Sequence, residues 1–344
     1  MNRAGRLLEA LKGYDYVVLT RPGNLAYAVG FPDGLALVVD ARTGEAALYV
    51  SRLDYRRALA SVAVDKIVAF ATAEIPPRGP GEELLVAKNL LDRLREALKG
   101  RVASDSKEIG EDVSSKILEV RSIKTEEEVG KIKRALEITE DALSRLGSLE
   151  GRSEREIAAE IYRLMISLGS DGVAFEPIVG SGPHSAWPHY NYGDRRIAYG
   201  DAVVVDVGAR YRLYCADMTR TYLIGEAPRQ LRDAVYAVYE ASKAAERAIR
   251  AGVAAREVDL SARKVLEDYG FGQYFIHSTG HGVGVEVHEP PRLSATSDDV
   301  LKEGMVVTVE PGVYVPGVGG VRIENMVYIS PSGAAVMNRL PYIV

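Results

Sequence analysis

The chain has one cysteine and one tryptophan in 344 residues. A single thiol cannot build an intrachain disulfide framework, which excludes the disulfide-stapled secreted scaffolds and points to a reducing, cytoplasmic setting. Positive charge is not in excess: 43 Lys and Arg stand against 48 Asp and Glu, for a net charge of −5 and a pI near 5.7. That balance leaves no electrostatic footprint for nucleic acid or for an anionic membrane. No apolar run is long enough to span a bilayer. The opening stretch MNRAGRLLEALKGYDYVV reads as an amphipathic helix followed by a strand, not as the unbroken apolar core of a signal peptide. Histidine is absent before position 184, so the first third of the chain offers no imidazole for chemistry.

What is present is the composition of a soluble globular protein long enough for two domains. Residues 1–122 alternate strand and helix, with strands expected at 16–19, 35–39, 46–50 and 66–70 and helices at 6–12, 53–60 and 82–99. The Pro/Gly-rich IPPRGPGE is a surface loop. This reads as a small α/β domain that supports or shields a site located elsewhere. Near 121–125 the pattern changes to a long charged amphipathic helix over 126–146, which places a domain boundary between 122 and 123. From there the order is helix, helix, sheet, twice over: helices at 153–168, 229–250 and 255–269 join the first, and Ser153-Glu-Arg-Glu156 forms a capping box. The fold class is therefore α+β. The small α/β domain precedes residues 123–344, whose duplicated helix-helix-hairpin halves surround a curved antiparallel sheet.

Each half carries acids where a strand should carry valine. Asp206 ends the run AVVV six residues after Gly200, and Glu310 ends VVTV six residues after Gly304. Asp217 follows Asp206 by eleven residues on the return strand of a hairpin, and Glu324 follows Glu310 by fourteen, across a loop rich in Gly and Pro. Taken alone, Asp206 and Asp217 are equally well read as turn or edge aspartates. An ionised carboxylate in an apolar strand is costly unless it is paired, hydrogen-bonded or metal-bound, and the repeat of the pattern favours the last.

All five histidines fall between 184 and 288: His184 and His189 in GPHSAWPHY, His277 and His281 in HSTGHGVG, His288 in VEVHEPP. The GHGVG segment is not a nucleotide-binding loop, because no helix pattern opens after it and two prolines follow. Those prolines equally exclude a helical zinc-peptidase signature at His288. Four acids and at least one imidazole brought together would repel and take up protons. Two divalent cations cancel that charge, and oxygen donors with one imidazole favour Mn²⁺ or Co²⁺, with Fe²⁺ or Zn²⁺ as alternatives.

Asp206, Asp217, His281, Glu310 and Glu324, in VVVDVG, CADMTRT, STGHGVG, TVEPGVY and VRIEN, resemble the five-ligand signature of the pita-bread metallopeptidases. Within that family, SAWPHY, GHGVGVEVHEPPR and EPGVYVPGVGGVRIEN are most similar to the motifs of Xaa-Pro dipeptidases (prolidases), above all the archaeal ones, and of Xaa-Pro aminopeptidases. The resemblance implies a creatinase/prolidase-like N-terminal domain, a C-terminal pita-bread domain and a homodimer. It implies that Asp206 binds one metal, His281 and Glu310 the other, and Asp217 and Glu324 both. A hydroxide held between the metals would attack the peptide carbonyl, with Glu310 accepting the water's proton. His189 and His288 would hold substrate and the tetrahedral intermediate, and Arg322 would orient the ligand shell. Arg292 would meet the substrate's C-terminal carboxylate, and His277 would line the substrate pocket or serve structure. His184 is expected to be a loop residue, Trp187 to wall a proline subsite or pack within its loop, and Tyr314 to pack. Cys215 is expected in the core, on one strand face with Asp217. The activity implied is hydrolysis of Xaa-Pro dipeptides. The alternatives are an Xaa-Pro aminopeptidase acting on longer peptides, creatinase-like or methionine-aminopeptidase chemistry on the same fold, and a binding module without catalysis.

Overall fold

The computed structural model describes residues 3–343. By compactness the chain divides into two units, Met1–Arg121 and Ser122–Val344.

In the first unit, seven strands form one mixed sheet: β1 (Tyr16–Leu19), β2 (Gly34–Asp40), β3 (Ala46–Ser51), β4 (Lys66–Ala71), β5 (Leu84–Val86), β6 (Val102–Ser104) and β7 (Glu111–Asp112), in the order β5-β4-β3-β2-β1-β6-β7. The helices are α1 (Arg3–Ala10), α2 (Pro22–Val29), α3 (Tyr55–Ser61), α4 (Leu90–Ala97) and α5 (Ser114–Ser122). The single helix expected over 82–99 is instead β5 followed by α4. Leu84, Leu85 and Val86 pair in parallel with the end of β4, and Asn89 then caps α4 by accepting from the Asp92 N–H. Sheet pairing overrides the local helical pattern there. Helix α2 was not expected, although its signals are present: Pro22 opens it and Gly30, at φ 74°, closes it.

The second unit repeats one plan. The first half runs α6 (Glu126–Ser144), α7 (Glu154–Ser167), β8 (Gly172–Val173), β9 (Ile178–Ser181), β10 (Ala202–Val207), β11 (Ala209–Tyr211), β12 (Tyr214–Cys215) and β13 (Met218–Leu223). The second half runs α8 (Arg229–Ala248), α9 (Ala255–Asp268), β14 (Gly280–Gly282), β15 (Glu289–Leu293), β16 (Val306–Val309), β17 (Gly312–Val315), β18 (Gly319–Arg322), β19 (Asn325–Ser330) and β20 (Gly333–Val336). Every strand pair in this unit is antiparallel. Thr125 with Glu128 and Ser153 with Glu156 close reciprocal capping boxes at the starts of α6 and α7. Those side chains satisfy the helix N–H groups that lack intrahelical partners.

Two apolar cores form, one per half. Ile132, Leu136, Leu143, Ile157 and Ile161 of α6 and α7 meet Val203, Val205 and Val207 of β10. Leu231, Val235, Val238, Val258 and Leu266 of α8 and α9 meet Val307, Val309 and Val327. Side chains alternate across a strand. With Val203, Val205 and Val207 pressed onto helices, Asp206 is carried on the opposite face. Between β10 and β11 the chain bends at Gly208, where a Cβ would collide with the carbonyl oxygen of Ala216. That close approach seats Ala216, the residue before Asp217, directly against the backbone at Gly208. Gly208→Ala is expected to destabilise the fold by about 1–3 kcal/mol, the usual cost of overpacking. A lowered urea midpoint at unchanged m-value is the readout, and an unchanged midpoint would show that the bend tolerates a side chain.

Candidate metal centre

The carboxylates sit at strand ends and interruptions. Asp206 lies in β10, Asp217 in the gap between β12 and β13, Glu310 just past β16 and Glu324 between β18 and β19. The return strand expected to carry Asp217 is thus broken at residues 216–217. Strict alternation from Cys215 to Asp217 does not hold across that break. Cys215 packs in the first-half core with its thiol on the Val285 carbonyl, and burial pushes its pKa up to about 12. It has no nucleophilic character.

These acids converge with His281. The trios Asp206/Asp217/Glu324, His281/Glu310/Glu324 and Asp217/His281/His288 each offer donor atoms within 4.8 Å of one another. Burial raises the pKa of Asp206, and the charge of Glu310 adds to it against the opposing pull of Arg322. Asp217 and Glu324 are raised well above the ordinary carboxylate range, first by burial and then by neighbouring carboxylates. Glu310 differs: burial pushes it up, yet the hydrogen bond and charge of His281 hold it down to about 2. The His281 pKa is correspondingly raised by Glu310, against the effect of burial. His281 Nδ1 donates to the Gly282 carbonyl at 3.1 Å, which leaves Nε2 facing Glu310 at 3.3 Å and Asp217 at 3.5 Å.

Arg322 organises one side of the cluster. Buried in the second-half hairpin, it donates to Asp206 Oδ2 at 2.6 Å, to the Tyr314 hydroxyl at 2.7 Å, to Thr219 Oγ1 at 3.1 Å and to the Pro188 carbonyl at 3.3 Å. The Thr219 hydroxyl in turn donates to Glu324 Oε2 at 2.8 Å. The Tyr314 hydroxyl donates to His277 Nε2 at 2.9 Å, and His277 Nδ1 donates to the Ser278 carbonyl, which assigns a neutral tautomer. Burial also keeps the His277 pKa low. Tyr314, expected only to pack, is therefore a hydrogen-bonding link between Arg322 and His277. Burial raises its pKa to about 12.

The cluster forms the floor of a cleft of about 580 Å³. His189, His288 and Arg292 line it as exposed residues, and His277 lines it as a half-buried one. His288 packs edge-on against His281, with ring centroids 4.4 Å apart. Arg292 is held on β15 opposite His281, with its backbone N–H on Asp299. Phe175, Ile178 and Pro290 supply apolar walls. Trp187 lies outside this lining, 55% exposed and stacked on His184 at 4.9 Å. Of the site's residues, Thr219, Tyr314, Phe175 and Ile178 escaped sequence reasoning. Only the closeness of Thr219 to Asp217 and of Tyr314 to Glu310 in the chain hinted at them.

The donors fit divalent metal. Asp206 Oδ1 is buried and has no hydrogen-bonding partner among the described residues, while Oδ2 is bound by Arg322. Three carboxyls driven towards protonation by burial and mutual repulsion are what a cation relieves.

Comparisons with known proteins agree. Metallopeptidase family M24 matches residues 130–331, and the creatinase/prolidase N-terminal domain matches residues 2–129. The Xaa-Pro dipeptidase of Pyrococcus furiosus is 40% identical over 325 residues, covering 93% of this chain and 92% of that protein. Among solved structures, the prolidase from Pyrococcus furiosus superposes with a TM-score of 0.82 at 34% identity, covering 98% of this chain and 99% of that one. The X-Pro aminopeptidase from Thermotoga maritima does so at 0.86 and 30% identity, covering 100% and 99%.

The raised carboxyls predict proton linkage. A folded-state pKa above the unfolded value means that the metal-free fold binds extra protons and loses stability as pH climbs from about 4 through the raised values. Metal must displace those protons. Loading with Mn²⁺ is expected to release protons at mildly acidic pH and fewer as pH rises. Calorimetry in buffers of different ionisation enthalpy measures this; a release of zero throughout would mean that the acids are already ionised.

Proposed function

The chain belongs to metallopeptidase family M24, and from that premise we propose that the cleft in residues 123–344 hydrolyses the Xaa-Pro peptide bond, with Xaa-Pro dipeptides as preferred substrates. One observation carries the reading: Asp206, Asp217, His281, Glu310 and Glu324 converge in two trios sharing Glu324, beneath a rim that holds His189, His288 and Arg292. The similarity to proteins named for Xaa-Pro bonds supports the substrate class.

Asp206 would hold one divalent ion, His281 with Glu310 a second, and Asp217 with Glu324 both; the hard donor set suits Mn²⁺ or Co²⁺. Such a pair, when bound, supplies an acidified water and a polarised carbonyl. The chain's own groups do the rest. Glu310, whose carboxylate is kept ionised by its bond to His281 in the metal-free site, would accept the proton of the attacking water. His288, its pKa lowered by desolvation of the ring where it packs on His281 and by the charge of His281, presents a neutral ring that donates to developing negative charge, and His189 offers a second donor from another loop of the cleft. Arg322 fixes the carboxylate of Asp206. Arg292 pairs with the substrate's C-terminal carboxylate, while His277 helps to shape the pocket that receives it. Residues 1–122 are assigned to an N-terminal supporting domain. The protein is further assigned to the cytoplasm as a homodimer; its one cysteine is buried, and no helix among the described residues is long and apolar enough to cross a membrane.

A second reading, Xaa-Pro aminopeptidase, has its own support. A further cavity, lined by Ile276, Ser294 and Thr296, shares His277, Ser278 and Arg292 with the cleft, so an extended peptide has a second recess beside Arg292 to occupy. Comparing kcat/KM for a dipeptide with its C-terminal amide decides between them. The dipeptide is expected to be faster, and Arg292→Lys to raise its KM, since an ammonium cannot reproduce the bidentate pair. Equal values, with faster cleavage of Xaa-Pro-Yaa, would reassign the enzyme to the aminopeptidases.

The division of labour among the histidines is tested separately. His189→Ala and His288→Ala are each expected to retain two bound metals while kcat falls on the order of 10²–10³, the scale of a lost oxyanion donor. For His288, which also lies within donor range of Asp217 and His281, loss of one metal with the substitution would make it a ligand instead.

A further inference from the structure

The duplication extends beyond the acids of the site. The second helix of each half carries a completely buried carboxylate with no place in the metal cluster: Glu154 opens α7, and Asp259 lies one turn into α9. Each accepts both the backbone N–H and the hydroxyl of one Ser or Thr at the entrance to a histidine-bearing segment. Glu154 Oε1 takes Ser181 N at 2.8 Å and Ser181 Oγ at 2.7 Å. Asp259 Oδ1 takes Thr279 N and Thr279 Oγ1, both at 2.9 Å.

What each clasp holds differs. Glu154 also receives His184 Nδ1 at 2.9 Å, the Tyr190 hydroxyl at 3.1 Å and Gly193 N at 3.0 Å, so one carboxylate gathers both ends of the loop 181–193. His189 sits between two tethered neighbours, Pro188 through its carbonyl to Arg322 and Tyr190 through its hydroxyl to Glu154. On the other side, the Thr279 carbonyl accepts from Glu310 N at 2.8 Å, and Thr279 lies two residues before His281. Arg263 balances the Asp259 charge at 2.6 Å and donates onward to the Phe275 and His277 carbonyls. Completely buried carboxylates are costly; apart from the Arg263 ion pair on its own helix, the bonds described for Glu154 and Asp259 go to backbone and side chains of the two histidine-bearing segments.

We propose that Glu154 and Asp259 are a matched pair of positioning residues, Glu154 setting His189 against the substrate and Asp259 setting His281 and Glu310 as donors to one metal. The assignment rests on the roles given above to His189, His281 and Glu310.

The pair makes crossed predictions in the full-length protein. Glu154→Gln cannot accept five donors. It is expected to lower kcat by about 10–100-fold, the range seen when groups that orient site residues are lost, with Mn²⁺ affinity in equilibrium dialysis unchanged. In a His189→Ala background the same substitution is expected to lower kcat no further, because it acts through His189. Asp259→Asn is expected to weaken Mn²⁺ binding in dialysis by about 10–100-fold, with kcat recovering at saturating metal. Should either variant fail to fold, Tyr190→Phe and Thr279→Val each remove one bond of a clasp and are expected to show the same pattern at smaller size. Additive losses in the His189→Ala background, or equal effects of both substitutions on metal affinity and kcat, would overturn the proposal. A His189→Ala enzyme with unchanged kcat would instead overturn the role given to His189 and the Glu154 arm with it, while dialysis of Asp259→Asn would still decide the other arm.

Discussion

Moving a carboxylate out of water costs several kcal/mol even after the protein relaxes, and this chain moves four into one pocket. Asp206, Asp217 and Glu324 are almost inaccessible to solvent. Much of the C-terminal unit is arranged around that cost. Arg322 bonds Asp206 and, through Thr219, supports Glu324. His281 bonds Glu310. Behind the cluster Arg220, completely buried and lowered to about 10 by that burial, spends its donors on oxygens that include the carbonyls of Thr219 and Glu324. These cations do not neutralise the site. Asp217 and Glu324 stay far above their ordinary range, and divalent metal is the charge that would relieve them.

The same constraint explains why the acids sit where strands stop. A residue inside a ladder has its backbone direction set by its neighbours, and its side chain faces one side of the sheet. At a gap such as residues 216–217, or at the junction of β18 and β19, the chain is free to turn a carboxylate inward. The carboxylates can then approach from several directions. The second half delivers two such positions, Glu310 and Glu324, and the first half one, Asp217, while Asp206 reaches the cluster from within β10, next to its last residue. The loop 181–193 completes the arrangement, because Ser185 Oγ accepts from Gly320 N in the second-half hairpin while Glu154 holds the loop to the first half. His189, proposed to meet substrate, therefore stands on a segment anchored to both halves.

Legibility in the sequence followed the range of the interaction concerned. Helices α6 to α9 were readable because capping and apolar periodicity are local: Thr125 and Ser153 announce their helices three residues before the Glu that answers them. The span 82–99 was misread because β5 exists only by pairing with β4, a partner the local pattern does not contain. Tyr314 looked like packing, since nothing near it in the chain shows that Arg322 and His277 will meet at its hydroxyl. Trp187 stood beside the Pro-His pair in sequence, yet its ring turns away to stack on His184.

Residue order alone carried the acid pattern, the confinement of histidine to one region, the two-unit organisation of strand and helix, and the family resemblance of the motifs. Those features reside in residue type and spacing, which need no partner to be read. Tertiary structure alone decided that five residues spread over 119 positions, from Asp206 to Glu324, converge on one floor. It also decided that Glu310 is held ionised while its neighbours are driven towards protonation, and that Glu154 and Asp259 point inward as clasps. The reason is physical. A carboxylate's charge state and bonds depend on the dielectric and the donors within a few ångströms, and those surroundings come from parts of the chain that only folding brings together.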